Sequence, residues 1–310
     1  MSFSSEVKEE LSRQVGSARH CQIAEAAAIF RMCGQVSQNG EILTARIENP
    51  DVVRKFEVLL KRGFQVTPEV SLRGGVHILT VRDRASVSRI LKAMKLWSDD
   101  GRPEERADFI SSRVVQNACC KRAFIRGAFL AGGSISNPEK SYHLEIVCTR
   151  VEQAGQLTEL IGAFGIEAKT VLRKKYHVVY IKEGNQIVDM LGVMEAHVAL
   201  MNLENVRILK EMRGTVNRKV NCETANINKT VSAAVEQIND ILYIRDKLGF
   251  DKLPEGLEEI AEARLEQPEA TLKELGDSLT PPVGKSGVNH RLRKLKELAK
   301  ALRDDEEESL

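Results

Sequence analysis

The sequence repeats itself. Sliding the 310-residue chain along itself by 100 positions sets Leu60 on Leu160, Phe64 on Phe164 and Leu72 on Leu172. At the same shift Arg73 meets Arg173, His77 meets His177, Leu91 meets Leu191 and Met94 meets Met194, with Val66 on Ile166 and Ile90 on Met190 as similar pairs between them. Self-similarity at a fixed period marks one supersecondary unit used more than once. Two copies, each unable to bury its apolar face alone, are expected to share one core across a pseudo-twofold axis. A chain of this length also exceeds what one compact core ordinarily organises, so further domains are expected.

Hydrophobic periodicity repeats with the residues. In the first copy, helices are predicted over 23–34, 50–62 and 85–96, with strands over 42–48, 65–72 and 76–82. The second copy offers helices over 122–132, 152–164 and 185–194, with strands over 143–149, 167–173 and 178–182. Each half, about 20–100 and about 120–200, thus reads helix, strand, helix, two strands, helix. The predicted class is α+β, with 1–203 forming one domain.

The head of the second copy reads Ile125-Arg126-Gly127-Ala128-Phe129-Leu130-Ala131-Gly132-Gly133. It resembles the LAGLIDADG helix of homing endonucleases, whose small residues let two helices pack closely across a pseudo-dyad. Ala26-Ala27-Ala28-Ile29-Phe30-Arg31-Met32-Cys33-Gly34 stands at the head of the first copy with the same small-residue character. In the endonucleases, an acidic residue at each helix end binds the divalent metal; here those positions hold Cys33 and Gly132, and the other acidic position holds Arg31 and Leu130. Phosphodiester hydrolysis by that route needs carboxylates on a hard cation, which glycine cannot supply and a thiol matches poorly. The resemblance therefore implies the scaffold without the nuclease. In the endonucleases a saddle-shaped sheet lies on DNA, and Arg73, Arg82, Arg84, Arg173, Lys174 and Lys175 are candidate phosphate contacts on such a surface.

Beyond residue 203 the strand pattern ends. Leu203, Val206, Leu209 and Met212 share a helix face, read as a connecting helix over 204–220, with a helical domain over 221–310. A longer helix is predicted over 228–247, stopped by Gly249. Leu257, Ile260, Ala261 and Leu265 outline a short helix ahead of Pro268, and Thr271 with Glu274 forms a capping box opening another. That helix buries Leu272, Leu275 and Leu279 and cannot continue through Pro281-Pro282. An amphipathic helix follows, with Val288, Leu292, Leu295, Ala299 and Leu302 on its apolar face.

Charge singles out this last helix. Net charge is only +2, yet between Lys285 and Arg303 seven Lys or Arg face Glu297 alone. A short helix, a tight connection and a basic amphipathic helix form a helix-turn-helix, whose second helix enters the major groove. Ser286, Asn289, His290 and Arg293 are candidates for base or groove contacts; Lys285, Arg291, Lys294 and Lys296 are candidates for backbone phosphates.

The LAGLIDADG-like half without its acids, the run Asn217-Arg218-Lys219-Val220-Asn221-Cys222-Glu223-Thr224-Ala225-Asn226 and the run Lys285-Ser286-Gly287-Val288-Asn289-His290-Arg291-Leu292 together resemble the WhiA regulators. The resemblance covers nearly the whole chain. It implies a DNA-binding transcription factor of Gram-positive bacteria, tied to sporulation in filamentous forms and to cell division or chromosome segregation elsewhere. Double-stranded DNA is the implied partner, with other transcription regulators or RNA polymerase as further ones.

What remains of the sequence excludes rather than adds. An apolar share of 42% with 29% charged residues is that of a globular chain, and no apolar run reaches the ~18–20 residues of a membrane span. No signal peptide is expected, because Glu6, Lys8, Glu9, Glu10 and Arg13 leave the start without an apolar core. A cytoplasmic, nucleoid-associated protein follows. Cys21, Cys33, Cys119, Cys120, Cys148 and Cys222 form no C-x-x-C and no zinc-finger spacing, so no metal is expected and they read as free thiols. No phosphate-cradling glycine loop or Ser/His/Asp set suggests a cofactor or another enzyme class. Two readings compete with the regulator: an active homing endonuclease, and a protein-interaction scaffold with a basic helix.

Overall fold

The computed structural model describes residues 2–97, 109–254 and 256–308. The chain divides into two compact units, Met1–Lys210 and Glu211–Leu310.

The first unit is built on two helices. Arg19–Cys33 (α2) and Ala118–Gly132 (α5) are each 15 residues long and start 99 positions apart. Both are apolar nearly all round, the mark of a helix buried on every side. Gly127 lets them touch: a Cβ there would lie 2.5 Å from the Glu25 carbonyl oxygen and 2.9 Å from Ala28 Cβ. Ala24, Ala27, Ala28 and Ala128 complete the seam, all fully buried.

Charge is buried in the same seam. Arg126 grips Glu25 with two parallel bonds, Nε to Oε1 at 2.9 Å and Nη2 to Oε2 at 3.1 Å. Its Nη1 donates to Glu195 at 2.5 Å, and Lys55 Nζ sits 2.9 Å from Glu25 Oε1. Such a cluster favours one register rather than raising stability: with every partner present the desolvation cost is offset, and loss of one costs about 3–5 kcal/mol.

Each half then runs strand, strand, helix, strand, strand, helix. In the first half these are Gly34–Val36 (β1), Leu43–Ile47 (β2), Pro50–Phe64 (α3), Glu69–Arg73 (β3), Val76–Val81 (β4) and Arg84–Ala93 (α4). In the second they are Gly133–Ile135 (β5), Leu144–Cys148 (β6), Val151–Gly162 (α6), Lys169–Arg173 (β7), Tyr176–Ile181 (β8) and Gly184–Met194 (α7). The sheets are antiparallel, ordered β1-β2-β4-β3 and β5-β6-β8-β7. Leu72 pairs with His77, and Leu172 with His177, so the sequence repeat is a repeat of register. Leu43, Ala45 and Ile47 alternate inward, as do Leu144, Ile146 and Cys148. β3 and β7 are exposed along their whole length.

Three features depart from the sequence expectation. Strands β1 and β5 went unread because three residues are too short to show a period. Phe3–Arg13 (α1) also went unread; it buries Val7 and Leu11, and its neighbour Lys55 bonds back to the Leu11 carbonyl at 3.1 Å. In place of a connector and a separate helix stands one 51-residue helix, His197–Lys247 (α8). Between 213 and 228 no proline interrupts it; lone Gly214 costs only about 1 kcal/mol, and exposed polar side chains suit a solvated helix as well as a loop.

The second unit packs Ile241 and Ile244 of α8 against Glu258–Glu266 (α9), Leu272–Ser278 (α10) and Lys285–Glu308 (α11). No helix among the described residues is long and apolar enough to cross a membrane.

If the α2/α5 contact sets the fold, Gly127→Ala lowers stability by ~1–3 kcal/mol through overpacking. Gly155→Ala, at an exposed position of α6 where a Cβ meets open space, raises it by up to ~1 kcal/mol. Thermal unfolding of the two variants measures both signs.

Candidate nucleic-acid interface

The turn between α10 and α11 is set by backbone contact. At the start of α10, Thr271 N donates to Glu274 Oε2 at 2.7 Å and Glu274 N to Thr271 Oγ1 at 3.3 Å, the expected capping box. Hydrogen bonds from the Thr271 backbone and hydroxyl hold the Glu274 carboxyl below its ordinary range. At the far end Val283 N donates to the Gly276 carbonyl at 2.9 Å. A Cβ on Gly276 would run into the Val283 carbonyl oxygen, so only glycine lets the chain fold back here. Arg264, buried in α9, donates from Nη1 to the Ala270 carbonyl at 2.7 Å and fixes the loop entering α10.

α11 sits with Val288, Leu292, Leu295 and Ala299 buried. Of the eight sequence candidates, Lys285, Ser286, Asn289, His290, Arg293, Lys294 and Lys296 are exposed and Arg291 is half-buried. Lys285, Ser286, Asn289 and His290 share the first two turns, where base-reading residues of such helices stand. Arg293 Nη2 lies 3.4 Å from His290 Nδ1, and its Nε lies 3.5 Å from Glu297. Two further cations pair with other helices of the unit. Lys296 Nζ is 2.5 Å from Glu236 of α8, and this bond raises its pKa. Arg291 Nη1 is 3.9 Å from Glu259 of α9. Sequence reasoning missed two further lysines: Lys229 and Lys273 line one groove together with Lys285 and Asn289. They lie on other helices, so no periodicity could group them.

On the first unit, all six candidate saddle residues are exposed. Arg73 and Arg173 end β3 and β7, and Lys174-Lys175 form the turn that follows β7. Arg82 pairs with Glu69 at 3.2 Å, Arg84 with Glu41 at 3.7 Å and Arg173 with Glu145 at 3.1 Å. Arg73 and Lys174 carry no ion pair among the described residues.

At the helix ends that bear metal-binding acids in the endonucleases, neither Cys33 nor Gly132 supplies a carboxylate. A Cβ on Gly132 would meet Met32 Cε at 2.7 Å and the Val147 carbonyl oxygen at 2.9 Å, leaving no room for a carboxylate. The Cys33 thiol donates to the Ile29 carbonyl at 3.0 Å, and burial pushes its pKa up to about 12.

A duplicated α+β domain with a LAGLIDADG-like helix pair, followed by a helix-turn-helix domain, defines the class. Family profiles match at residues 19–97 (WhiA N-terminal LAGLIDADG-like domain), 121–213 (WhiA LAGLIDADG-like domain) and 216–299 (WhiA C-terminal HTH domain). The chain is 56% identical to the probable cell division protein WhiA of Lachnoclostridium phytofermentans, over 98% of this chain and 100% of that one. It is 51% identical to the protein of the same name from Lachnospira eligens, over 98% of each. It belongs to the WhiA family. The crystal structure of full-length WhiA from Thermatoga maritima shares the fold at a TM-score of 0.60 and 24% identity, covering 97% of this chain and 99% of that one.

Because Gly276 touches backbone, Gly276→Ala must open the α10–α11 turn. Its expected cost is at the upper end of, or above, the ~1–3 kcal/mol of overpacking. Urea unfolding monitored by circular dichroism would show an early transition in the second unit, whereas Gly284→Ala, with open space around its Cβ, leaves the curve nearly unchanged.

Proposed function

We propose that the chain is a sequence-specific DNA-binding transcription regulator that catalyses no reaction, with α11 as the element that enters the major groove. The observation that carries this reading is the exposed basic start of α11, held at a fixed angle to α10 by the Gly276–Val283 contact. Ser286, Asn289, His290 and Arg293 are assigned to base edges, since Asn pairs with adenine and Arg with guanine. Lys285 and Lys294 are assigned to phosphates, and the groove lysines Lys229 and Lys273 extend that track. Arg291 and Lys296 join them by exchanging Glu259 and Glu236 for phosphate.

In this reading 221–310 is the DNA-reading domain, 204–220 the connector, and 1–203 a LAGLIDADG-like domain whose β3 and β7 faces give auxiliary contacts. The lack of a carboxylate at Cys33 and Gly132 argues against phosphodiester hydrolysis by a paired-acid metal site. The name shared by the relatives points the regulated process to cell division, with sporulation and chromosome segregation as kindred programmes. The site of action is the nucleoid in the cytoplasm, and RNA polymerase or other regulators are the protein partners such a role calls for.

Duplex binding of the full chain, measured by fluorescence anisotropy over a salt series, tests this. Affinity should fall steeply with salt, and Lys285→Ala or Lys294→Ala should each flatten the log–log slope by about 1. Arg293→Ala should cost ~1–3 kcal/mol on a preferred site and less on random DNA. Absent or salt-insensitive binding would send the chain to the protein-scaffold reading instead.

A further inference from the structure

α2 and α5 also meet at their other ends. The second and third residues of α2 are His20 and Cys21; those of α5 are Cys119 and Cys120. One ligand atom from each of the four lies within 4.8 Å of the other three. His20 Nδ1 is 3.1 Å from Cys120 Sγ and 3.3 Å from Cys21 Sγ.

We propose that His20, Cys21, Cys119 and Cys120 form a structural zinc site that ties the two halves of the first unit together at the pseudo-dyad. Three thiolates and an imidazole are a standard four-coordinate zinc set, and soft sulfur selects zinc over magnesium or calcium. Zn–S bonds of ~2.3 Å and Zn–N bonds of ~2.0–2.1 Å imply tetrahedral edges of ~3.5–3.8 Å, which lie within the spread of this cluster. Symmetry favours the same geometry. A tetrahedron has a twofold axis that exchanges its ligands in pairs, and here the pairs come from equivalent positions of two helices related by such an axis. With four protein ligands no position stays open for substrate, so the site is structural rather than catalytic.

The charges also balance. Zinc displaces three thiol protons, and with neutral His20 the complex carries one net negative charge. It sits in the first turns of two helices, where free N–H groups and the helix dipoles favour negative charge. Cys21 and Cys120 are buried, while Cys119 and His20 are exposed, which gives the ion a dry inner wall and a path of entry.

The test uses the full chain, reduced, loaded with Zn2+ and dialysed, with metal content read by mass spectrometry. One zinc per chain is expected, and the Co2+-loaded chain should show thiolate charge-transfer absorption with intense tetrahedral visible bands. Cys119→Ser, at an exposed position that leaves the fold intact, should lose the stoichiometric zinc, and Cys222→Ser should keep it. His20→Ala should weaken zinc binding by at least the ~10–100-fold that loss of an outer-shell partner costs. Chelation should lower the melting temperature of the parent chain and leave that of Cys119→Ser unchanged. Substoichiometric zinc in the parent chain, or zinc retained by Cys119→Ser, would overturn the proposal. None of these outcomes depends on whether α11 reads DNA.

Discussion

The first unit depends on the contact of α2 with α5. Two helices can lie backbone to backbone only where one lacks a side chain, and Gly127 against the Glu25 carbonyl is that place. The closeness favours small side chains beside it, as at Ala24, Ala27, Ala28 and Ala128. It also excludes water, which is why the charges there must neutralise one another. Arg126, Glu25, Lys55 and Glu195 do so across elements distant in sequence: α2, α3, α5 and the residue after α7. The two halves, each with its own sheet, meet along this helix contact.

The two ends of this helix pair differ in chemistry. Its C-terminal ends, which face the two sheets, carry a buried thiol and a glycine without space for a side chain. Neither position supplies a carboxylate for a hard cation. The N-terminal ends gather three sulfurs and an imidazole. Thus one end lacks a carboxylate at both of these positions, and the other carries the ligand set of the zinc site proposed above.

Much of this was legible in the sequence, for physical reasons. The repeat was visible because β-register and helix faces need the same residue types at the same spacing in both copies. The capping box and the basic face of α11 are local patterns, and local patterns survive without a structure. Contacts between distant segments were not legible. Nothing in Gly276 distinguishes it from an ordinary helix glycine until the Val283 carbonyl is seen above it. His20 and Cys21 became partners of Cys119 and Cys120 only when α2 and α5 were aligned by their starts, at 99 positions rather than the 100 of the sequence repeat. The continuity of α8 was hidden by asparagines that usually favour turns. Lys296 and Arg291 had the right charge and spacing for phosphate, but sequence could not show the carboxylates of α8 and α9 beside them.

The central claim is that α11 reads base sequence in duplex DNA. Selection from a library of randomised duplexes by the full chain, repeated with Asn289→Ala and Arg293→Ala, tests it most directly. The account predicts one enriched motif for the parent chain, with tolerance spreading at a single, different position in each variant. An unenriched library, or a motif that both variants select unchanged, would contradict it.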